Sequence, residues 1–575
     1  MRSSVSPSRL LPVLAAWLAV GAGGFAAFAP ASAPASAEDS RDPRELVIGI
    51  TQFPSTLHPT IDSMLAKSYS LGLVRRPTMV YDHDWKHACM LCTEVPSLED
   101  GTVAVEPLAD GGEGMAVSYA LDPRAKWGDG TPITTRDVVF TWEVGRHPQS
   151  GVAAHSYYVR VLGIDVHDEH RYTVHYDRLD YDYPTVGAFS LLPEHLERSV
   201  FEEDPASYRH RTRYETEPTH PGLYHGPYRI LEVVRGSHIR FVRNPMWWGR
   251  EPWFDRVIVR TIENTVALEA NLLSETVDYI AGELGLPIDQ AIAFEERHGD
   301  RFVVEYKPGL IYEHLTPNHD NPLLSDPRVR RALLLGLDRR AISERLFGGR
   351  QPVADTNVNP LDWVHHDGVR KYAYDPDAAN ALLDEAGWTD VRDGVRHDDR
   401  GEPFLLELMT TAGDRTRELV EQVIQSQWRE LGVDVRIRNE PPRVFFGDTV
   451  SHRKFTGFAM FAWVSSPEAA PRGVLHSEEI PRPENGWSGN NVAGFENPEV
   501  DRLTDAIEVE LDRERRRELW AELQSLYAED LPALPLYFRA NAYIRPKWLA
   551  GVRPTGHQFS STLWIEEWHR APDED

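Results

Sequence analysis

Cysteine is scarce in this sequence, with only Cys89 and Cys92 among 575 residues, both in "HACMLC". A zinc site would need two further ligands, and the sequence contains no second C-x-x-C. Redox C-x-x-C motifs open a helix after a strand, whereas the following "CTEVPSLEDG" has the composition of turns and loops. The pair therefore predicts a local disulfide that closes a surface loop, in preference to redox catalysis.

Long apolar runs are also lacking, apart from one at residues 10–29. A basic start precedes this run and an A-x-A sequence follows it at 35–37, so residues 1–37 are predicted to be a secretory signal peptide. A retained membrane anchor is the alternative, but Pro12 and the "GAGG" of 21–24 argue against it. Because no cysteine near the cleavage point could carry a lipid, we expect a soluble exported protein.

Basic side chains are too few to balance the acidic ones, and the formal net charge is −28. The predicted signal peptide contributes Arg2 and Arg9, so the remaining chain carries −30. A surface this acidic repels phosphate backbones, which makes nucleic acid an unsuitable partner.

Motifs for catalysis or cofactor binding are absent: the sequence has no G-x-S-x-G, H-E-x-x-H, Walker or G-x-G-x-x-G pattern. The "HDEH" of 167–170 separates two alternating strands, where polar residues form a turn, and 365–367 is a polar loop without spaced partners. We therefore predict no catalytic residue, no cofactor and no metal site. An exported hydrolase and a metallophore receptor remain weaker alternatives.

Strand and helix patterns alternate along the chain, which predicts an α/β fold. The strands "ELVIGI" and "DRVIVRTI", a hairpin turning at Arg235-Gly236, and a helix over 265–274 belong to this pattern. A strand over 403–411, an amphipathic helix that stops at Gly432 and the strand "VDVRIR" form a β-α-β unit, which requires a parallel sheet. A chain of this length is too long for one core, so at least two lobes are expected.

Three helices are predicted to open in the same way, at Asp326-Pro327, Asp375-Pro376 and Asn497-Pro498. In each, the Asp or Asn caps free amides of the first turn and proline occupies the first helical position without losing a hydrogen bond. The helical stretch 321–342 carries an apolar face, predicted to pack on a core, of Val329, Ala332, Leu333 and Leu337. Its other face is predicted to be mostly solvated and carries Arg328, Arg330, Arg331 and Arg339.

Aromatic residues are abundant, with 16 Trp and 21 Tyr, and several Trp lie in segments that look like loops. Large aromatic side chains line clefts for extended ligands because they bury much area with few rotamers lost. Most will be core residues, but the excess favours a binding cleft.

Six motifs in a fixed order resemble the family 5 extracellular solute-binding proteins, the periplasmic dipeptide/oligopeptide-binding components of ABC importers. The most specific is "AKWGDGTPITTRDVVFTWE" at 125–143, which is similar to the family's "kWhDGtpvTaeDVvft". The others are "LVIGITQFPSTLHPT", "GPYRILEVVRGSHIRFVRNPMWW", "NPLLSDPRVRRALLLGLDRRAI", "YDPDAANALLDEAGW" and "NNVAGFENPEVDRL". The resemblance covers essentially the whole chain after the signal peptide.

This resemblance implies a two-lobed periplasmic-binding-protein fold, type II, in its large form with an extra subdomain and with the ligand cleft between the lobes. Lobe I would comprise 38–80, 222–305 and 537–575, with the extra subdomain at 81–221. Lobe II would comprise 306–536. Binding would close the lobes on the ligand without any bond being made or broken.

The resemblance also implies where the ligand lies. In peptide-binding members, a Trp stands three residues before an Asp that pairs with the peptide's α-ammonium group. Here Trp463 is present, but the corresponding position is Ser466, and Glu468 is the nearest substitute. The remaining candidate ligand-binding residues are Gln52, Phe53, Pro54, Ser55, Ser465, Asn490 and Asn491.

The missing carboxylate leaves two ligand classes open: peptides or a similar small polar solute, and an oligosaccharide or other non-peptide solute on the same scaffold. The implied partners are the permease subunits of an ABC transporter in the inner membrane. The protein is expected to be periplasmic and monomeric, since one cleft between two lobes needs no symmetry partner.

Overall fold

A computed structural model describes residues 42–61, 64–485, 487 and 489–572. Arg44–Asp575 forms one compact unit. The predicted signal peptide, residues 1–37, lies outside the described residues. No helix within these ranges is both long and apolar enough to cross a membrane.

The strands are numbered in chain order. They are β1 Glu45–Ile50, β2 Met79–Tyr81, β3 His87–Cys89, β4 Val103–Pro107, β5 Glu113–Ala120, β6 Val161–Val166, β7 Arg171–Tyr176, β8 Tyr228–Val234, β9 His238–Arg243, β10 Arg256–Thr261, β11 Tyr279–Ile280, β12 Phe302–Pro317, β13 Asp390–Arg392, β14 Val395–His397, β15 Leu405–Met409, β16 Asp434–Ile437, β17 Phe458–Val464, β18 Leu534–Pro546, β19 Leu549–Ala550 and β20 His569–Arg570.

The α-helices are numbered in the same way. They are α1 Leu65–Leu71, α2 Thr135–Arg146, α3 His155–Val159, α4 Glu194–Glu203, α5 Tyr208–Arg211, α6 Arg213–Thr216, α7 Thr265–Leu273, α8 Ile288–His298, α9 Pro322–Ser325, α10 Pro327–Leu335, α11 Arg339–Phe347, α12 Pro376–Glu385, α13 Arg415–Glu430, α14 Pro442–Val444, α15 Arg472–Leu475, α16 Pro498–Val509 and α17 Arg513–Asp530. Short 3-10 turns and one π-helical turn, Phe445–Val450, complete the set.

The largest sheet has the strand order β16-β15-β17-β12-β18-β11-β1-β10-β9-β8. Strand β1 is parallel to β10 and β11 at one end, and β15 is parallel to β16 and β17 at the other. The long strands β12 and β18 are antiparallel and join the two halves. Their register shifts between Pro308 and Tyr312, near the middle of β12.

Two separate clusters of buried apolar side chains mark the two lobes. One cluster contains residues from Leu46 to Leu284 and again from Tyr543 to Trp568. The other runs from Ile288 to Ala540. The chain therefore passes between the lobes along β12 and β18, as the α/β, two-lobed expectation requires.

The region 81–221 contributes a separate four-stranded antiparallel sheet in the order β4-β5-β7-β6. Its buried residues, among them Trp127 and Phe140, nevertheless belong to the same cluster as Leu46 of β1. The region therefore packs onto the first lobe through a continuous core.

Several local predictions are confirmed. The hairpin β8–β9 turns at Gly236, which has φ of 73° and accepts the positive φ that side chains disfavour. The side chains of Asp326, Asp375 and Asn497 each accept a hydrogen bond from an amide in the first turn of the helix they precede. The predicted β-α-β unit is present, and β15 is parallel to β16.

The prediction for 321–342 is wrong in two respects. The stretch forms three helices, α9, α10 and the start of α11, and Gly336 follows the second of them. Arg330 and Arg339 are each only 4% exposed, although they were expected to face water. Arg330 donates to the carbonyls of Ser325 at 2.9 Å and Leu531 at 3.1 Å. The guanidinium therefore satisfies carbonyls at the C-terminal ends of α9 and α17, which lack partners within their own helices.

The structure joins Cys89 and Cys92 in a disulfide. Cys89 ends β3, which forms a two-stranded sheet with β2, and Cys92 makes an isolated bridge with Leu121. The disulfide thus closes the loop that connects this small sheet to the subdomain sheet.

Candidate binding cavity

A cavity of about 540 Å³, called the first cavity below, lies against β12 and the carboxyl end of β17. The strands, the loops after them and helix α17 all contribute to its wall. Its lining residues are Leu310, Tyr312, His314, Thr316, Asn357, Val358, Asn359, Asp362, Trp463, Val464, Ser465, Ser466, Ala469, Ala470, Pro471, Gly473, Val474, Leu475, Asn490, Val492, Ala493, Trp520, Tyr527, Pro532, Ala533 and Gln558.

Strand β12 supplies one wall through every second residue: Leu310, Tyr312, His314 and Thr316. This follows from the strand period of two, which sends alternate side chains to the same face. The intervening Glu313 and Leu315 are completely buried on the other side. One of the two strands that connect the lobes therefore forms a wall of the first cavity.

The predicted residues Trp463, Ser465 and Ser466 all line the first cavity, at the end of β17. In the sheet register Trp463 lies opposite Tyr312 of β12, and its ring lies 5.4 Å from that of Phe461. Asn490 lines the same cavity from a distant loop. The structure thus brings together four of the residues that the sequence singled out.

A second cavity of about 700 Å³ contains Gln52 in its wall. It is lined by 282–290, the segment where the first core cluster ends and the second begins, by 413–416 from the second lobe, and by Arg539 of β18. Ile311 lines this cavity, whereas its neighbours on β12 line the first, so the two cavities lie against opposite faces of β12. Gln52 is therefore not brought together with Trp463.

The other candidates after β1 lie outside both cavity walls. Phe53 is half-buried and packs on the first lobe's core, Pro54 is buried and Ser55 is exposed. Asn491 is fully buried, and its amide nitrogen donates to the carbonyls of Leu475, His476 and Phe495 at 2.9–3.2 Å. These bonds hold the loop behind the cavity and leave Asn491 a structural role.

Glu468 is also not among the lining residues. It is 4% exposed, and its carboxylate is bound to Arg516 of α17 in a short ion pair. Arg513 stands 3.8 Å from the same carboxylate. This arrangement argues against a ligand contact, because the negative charge is already neutralised behind the wall.

The polar groups of the first cavity are mostly neutral. The hydroxyls of Tyr312 and Tyr527 are hydrogen-bonded at 2.9 Å, and the Tyr312 ring stacks on that of His314 at 4.9 Å. Burial lowers the pKa of His314 to about 4, so this imidazole is uncharged at neutral pH. Burial raises the pKa of Asp362 to about 6, so this carboxyl is ionised at pH 7.5.

Sequence reasoning missed the residues that come from remote segments, notably Asp362, Trp520, Tyr527 and Gln558. Nothing in their local sequence marks them, because only the packing of distant loops and α17 brings them to the cavity. Tyr312, His314 and Thr316 did have a signal, the alternation within "LIYEHLT", which indicates a strand with one distinctive face.

In the described ranges, no group of three or more His, Cys, Asp or Glu side chains is placed so that it could hold a metal ion. The "HDEH" segment contributes the turn between β6 and β7, and Arg171 there bonds the Asp168 carboxylate at 2.7 Å.

Comparison with known proteins gives consistent results over most of the chain. The oligopeptide-binding protein AppA of Bacillus subtilis is 24% identical over 470 residues, which cover 79% of this chain and 81% of that protein. The periplasmic oligopeptide-binding protein OppA of Escherichia coli is 23% identical over 488 residues, which cover 78% and 81%. The crystal structure of the oligopeptide-binding protein from Thermus thermophilus complexed with a pentapeptide is 29% identical, with a TM-score of 0.68 over 92% of this chain and 96% of that one.

The model of one protein family also matches residues 111–477, which is more than half of the chain. This match includes the "KWGDGTP" segment, the strand β12 and the Trp463 wall of the first cavity. The chain belongs to the bacterial extracellular solute-binding proteins, family 5.

Proposed function

We propose that this protein is the solute-binding receptor of an ABC importer, which captures peptides or a similar small polar solute and delivers them to a membrane permease. The observation that carries the proposal is the likeness, over nearly the whole chain, to a 29% identical protein crystallised with a pentapeptide. The first cavity suits such a guest because it combines aromatic and aliphatic walls with dispersed neutral polar groups.

The ligand contacts in this proposal are those of the first cavity, with Trp463, Ser465, Ser466 and Asn490 as the residues indicated by both sequence and position. The lobes are proposed to have the boundaries predicted from the sequence, with β12 and β18 as the connecting strands. Closure of the lobes stabilises a ligand that contacts both of them. In this proposal the second lobe forms most of the wall, and Gln558 is the contact contributed by the first lobe.

The protein is proposed to release its ligand chemically unchanged, as a receptor and not an enzyme. It is proposed to act in the periplasm after removal of the signal peptide, without a lipid anchor, and as a monomer. The proposed partners are the permease subunits of the transporter. The receptor role and the periplasmic location are supported by the family and by the names of relatives such as the periplasmic protein of E. coli. The monomeric state is proposed because one cleft between two lobes needs no symmetry partner.

Native mass spectrometry of the purified mature protein tests the proposal, because a receptor that closes its lobes on a ligand is expected to retain a non-covalent passenger. Thermal shift against peptide and sugar panels gives the ligand class, since a ligand that binds only the folded state raises the melting temperature. Peptides that raise it and are recovered with unchanged mass support the proposal. Stabilisation by sugars alone would replace it with the oligosaccharide alternative, and turnover of the ligand would show an exported hydrolase.

A further inference from the structure

The wall of the first cavity is almost without charge. Among the described residues that line it there is no lysine or arginine, and Asp362 is the one carboxylate. His314, the other side chain that titrates below neutral pH, is held uncharged by burial. A single negative group in an otherwise neutral, desolvated wall interacts most favourably with a single positive group on the guest.

Asp362 is held in place by backbone groups. Its Oδ2 accepts the amide hydrogen of Glu468 at 2.8 Å, and its Oδ1 accepts that of Val364 at 3.4 Å. Its loop is tied to β12 because the side-chain amide of Asn359 donates to the Gly309 carbonyl at 2.7 Å. A carboxylate can accept about four hydrogen bonds, so two backbone donors leave capacity for a ligand.

The surrounding charges do not neutralise Asp362. Arg516 is engaged by Glu468 and lies over the ring of Tyr181 at 4.9 Å, while Arg513 lies over Trp363 at 4.0 Å. Within the described part of the chain, no ion pair joins Asp362 to a basic side chain. Burial and the charge of Glu468 raise the pKa of Asp362, and Arg516 opposes this rise only in part.

We propose that Asp362 binds an ammonium group of the ligand and thereby makes the first cavity selective for guests with a cationic nitrogen at this end. Ser466 stands where peptide-binding members have their Asp. Asp362 lies next to the same segment, because the backbone amide of Glu468, two residues after Ser466, donates to its carboxylate. The negative charge thus comes from a loop about one hundred residues earlier. This inference rests on the proposed function, and it assigns the Asp362 carboxylate as the group that selects among the ligands of the first cavity.

Calorimetric titration with matched peptides tests the inference. The panel contains tri- to pentapeptides of Ala, Leu and Ser with a free amino terminus, the same peptides N-acetylated, and N-acetylated peptides with one internal Lys. A charge-assisted hydrogen bond in a desolvated site predicts that free peptides bind about tenfold or more tightly than acetylated ones. The lysine-containing peptides show whether a side-chain ammonium serves equally well.

The variant Asp362→Asn should remove this preference, because the amide keeps the shape and an acceptor but loses the charge. Asp367→Asn is the matched control: it removes the same charge from the same loop, at a side chain that is 91% exposed, and should preserve the preference. If Asp362→Asn does not fold, as judged by circular dichroism, the wild type is titrated at pH 7.5 and pH 5.0 instead. Protonation of Asp362 at pH 5.0 should then erase most of the preference, whereas His314 remains mostly neutral at both pH values.

The outcomes separate the two proposals. The role of Asp362 is overturned, and the receptor function left intact, if the wild type binds free and acetylated peptides equally. A preference that survives in folded Asp362→Asn, or at pH 5.0 where that variant does not fold, has the same consequence. Failure of every peptide to bind overturns the receptor function for peptides and the inference with it.

Discussion

The Nε of Arg539 donates to Oε2 of Glu313 at 2.6 Å, and these two residues stand on the two long strands that connect the lobes. The Glu313 side chain is completely buried, and Arg417 of α13 donates to its other oxygen at 2.7 Å. Burial alone would raise the pKa of Glu313, but Arg539 and Arg417 hold it below its usual value. One carboxylate therefore binds two arginines from separate elements at the junction of the lobes.

Replacement of Glu313 by Gln is expected to destabilise the fold by about 3 kcal/mol or more, since it leaves two buried or half-buried guanidinium groups without their counter-charge. Denaturation in urea measures this loss. Glu344→Gln is the control, because it breaks an exposed pair with Arg340 and should change the free energy of unfolding by less than about 0.5 kcal/mol. A loss at Glu313 no larger than at Glu344 would contradict the role given to the buried carboxylate.

Replacement of Arg339 by Lys is expected to cost roughly 2 to 4 kcal/mol of folding free energy. The guanidinium donates to the carbonyls of Ala354, Pro535 and Tyr372, and a lysine cannot reproduce this divergent set of donors. The neighbouring Arg340 is 85% exposed, so Arg340→Lys serves as control and should be nearly neutral. Similar melting temperatures for the two variants would refute the argument.

Removal of the Asp362 charge is expected to stabilise the protein when no ligand is bound. Burial raises the pKa of Asp362 from 3.8 to about 6, so the folded state binds a proton more tightly than the unfolded chain. Ionisation therefore costs stability as pH rises from about 4 to about 6, and the full cost, up to roughly 3 kcal/mol, is present above that window.

Ligand-free Asp362→Asn should accordingly melt above the wild type at pH 7.5 and at the same temperature near pH 4. Differential scanning calorimetry across this range measures the difference. A variant less stable than the wild type at pH 7.5 would show that the carboxylate is satisfied without a ligand.

Reduction of the Cys89–Cys92 disulfide is expected to have a modest effect. The bond closes a loop of only four residues, for which the loss of chain entropy amounts to about 2 kcal/mol. The Cys89→Ser, Cys92→Ser double variant should fold and bind as the wild type does, with a correspondingly lower midpoint of urea unfolding. Free thiols detected in the native, unreduced protein would contradict the pairing.

The sequence by itself determined the local structure and the family. Helix starts such as Asp326-Pro327 and the turn at Gly236 follow from hydrogen bonds and backbone angles within a few residues, so they can be predicted without knowledge of the remainder of the chain. The ordered motifs identified the scaffold, and Trp463 and Ser466 were found because they lie within a motif.

Only the tertiary structure decided which polar groups serve the cavity and which serve the fold. Helical periodicity predicts that Arg330 and Arg339 are solvated, but both side chains are buried and both guanidinium groups donate to backbone carbonyls of other segments. Its position predicts that Glu468 is available to a ligand, yet α17 brings Arg516 to it. A loop about one hundred residues earlier in the chain places Asp362 in the cavity wall instead. The charge that a buried carboxylate presents to a ligand depends on its partners, and those partners come from segments that local sequence does not connect.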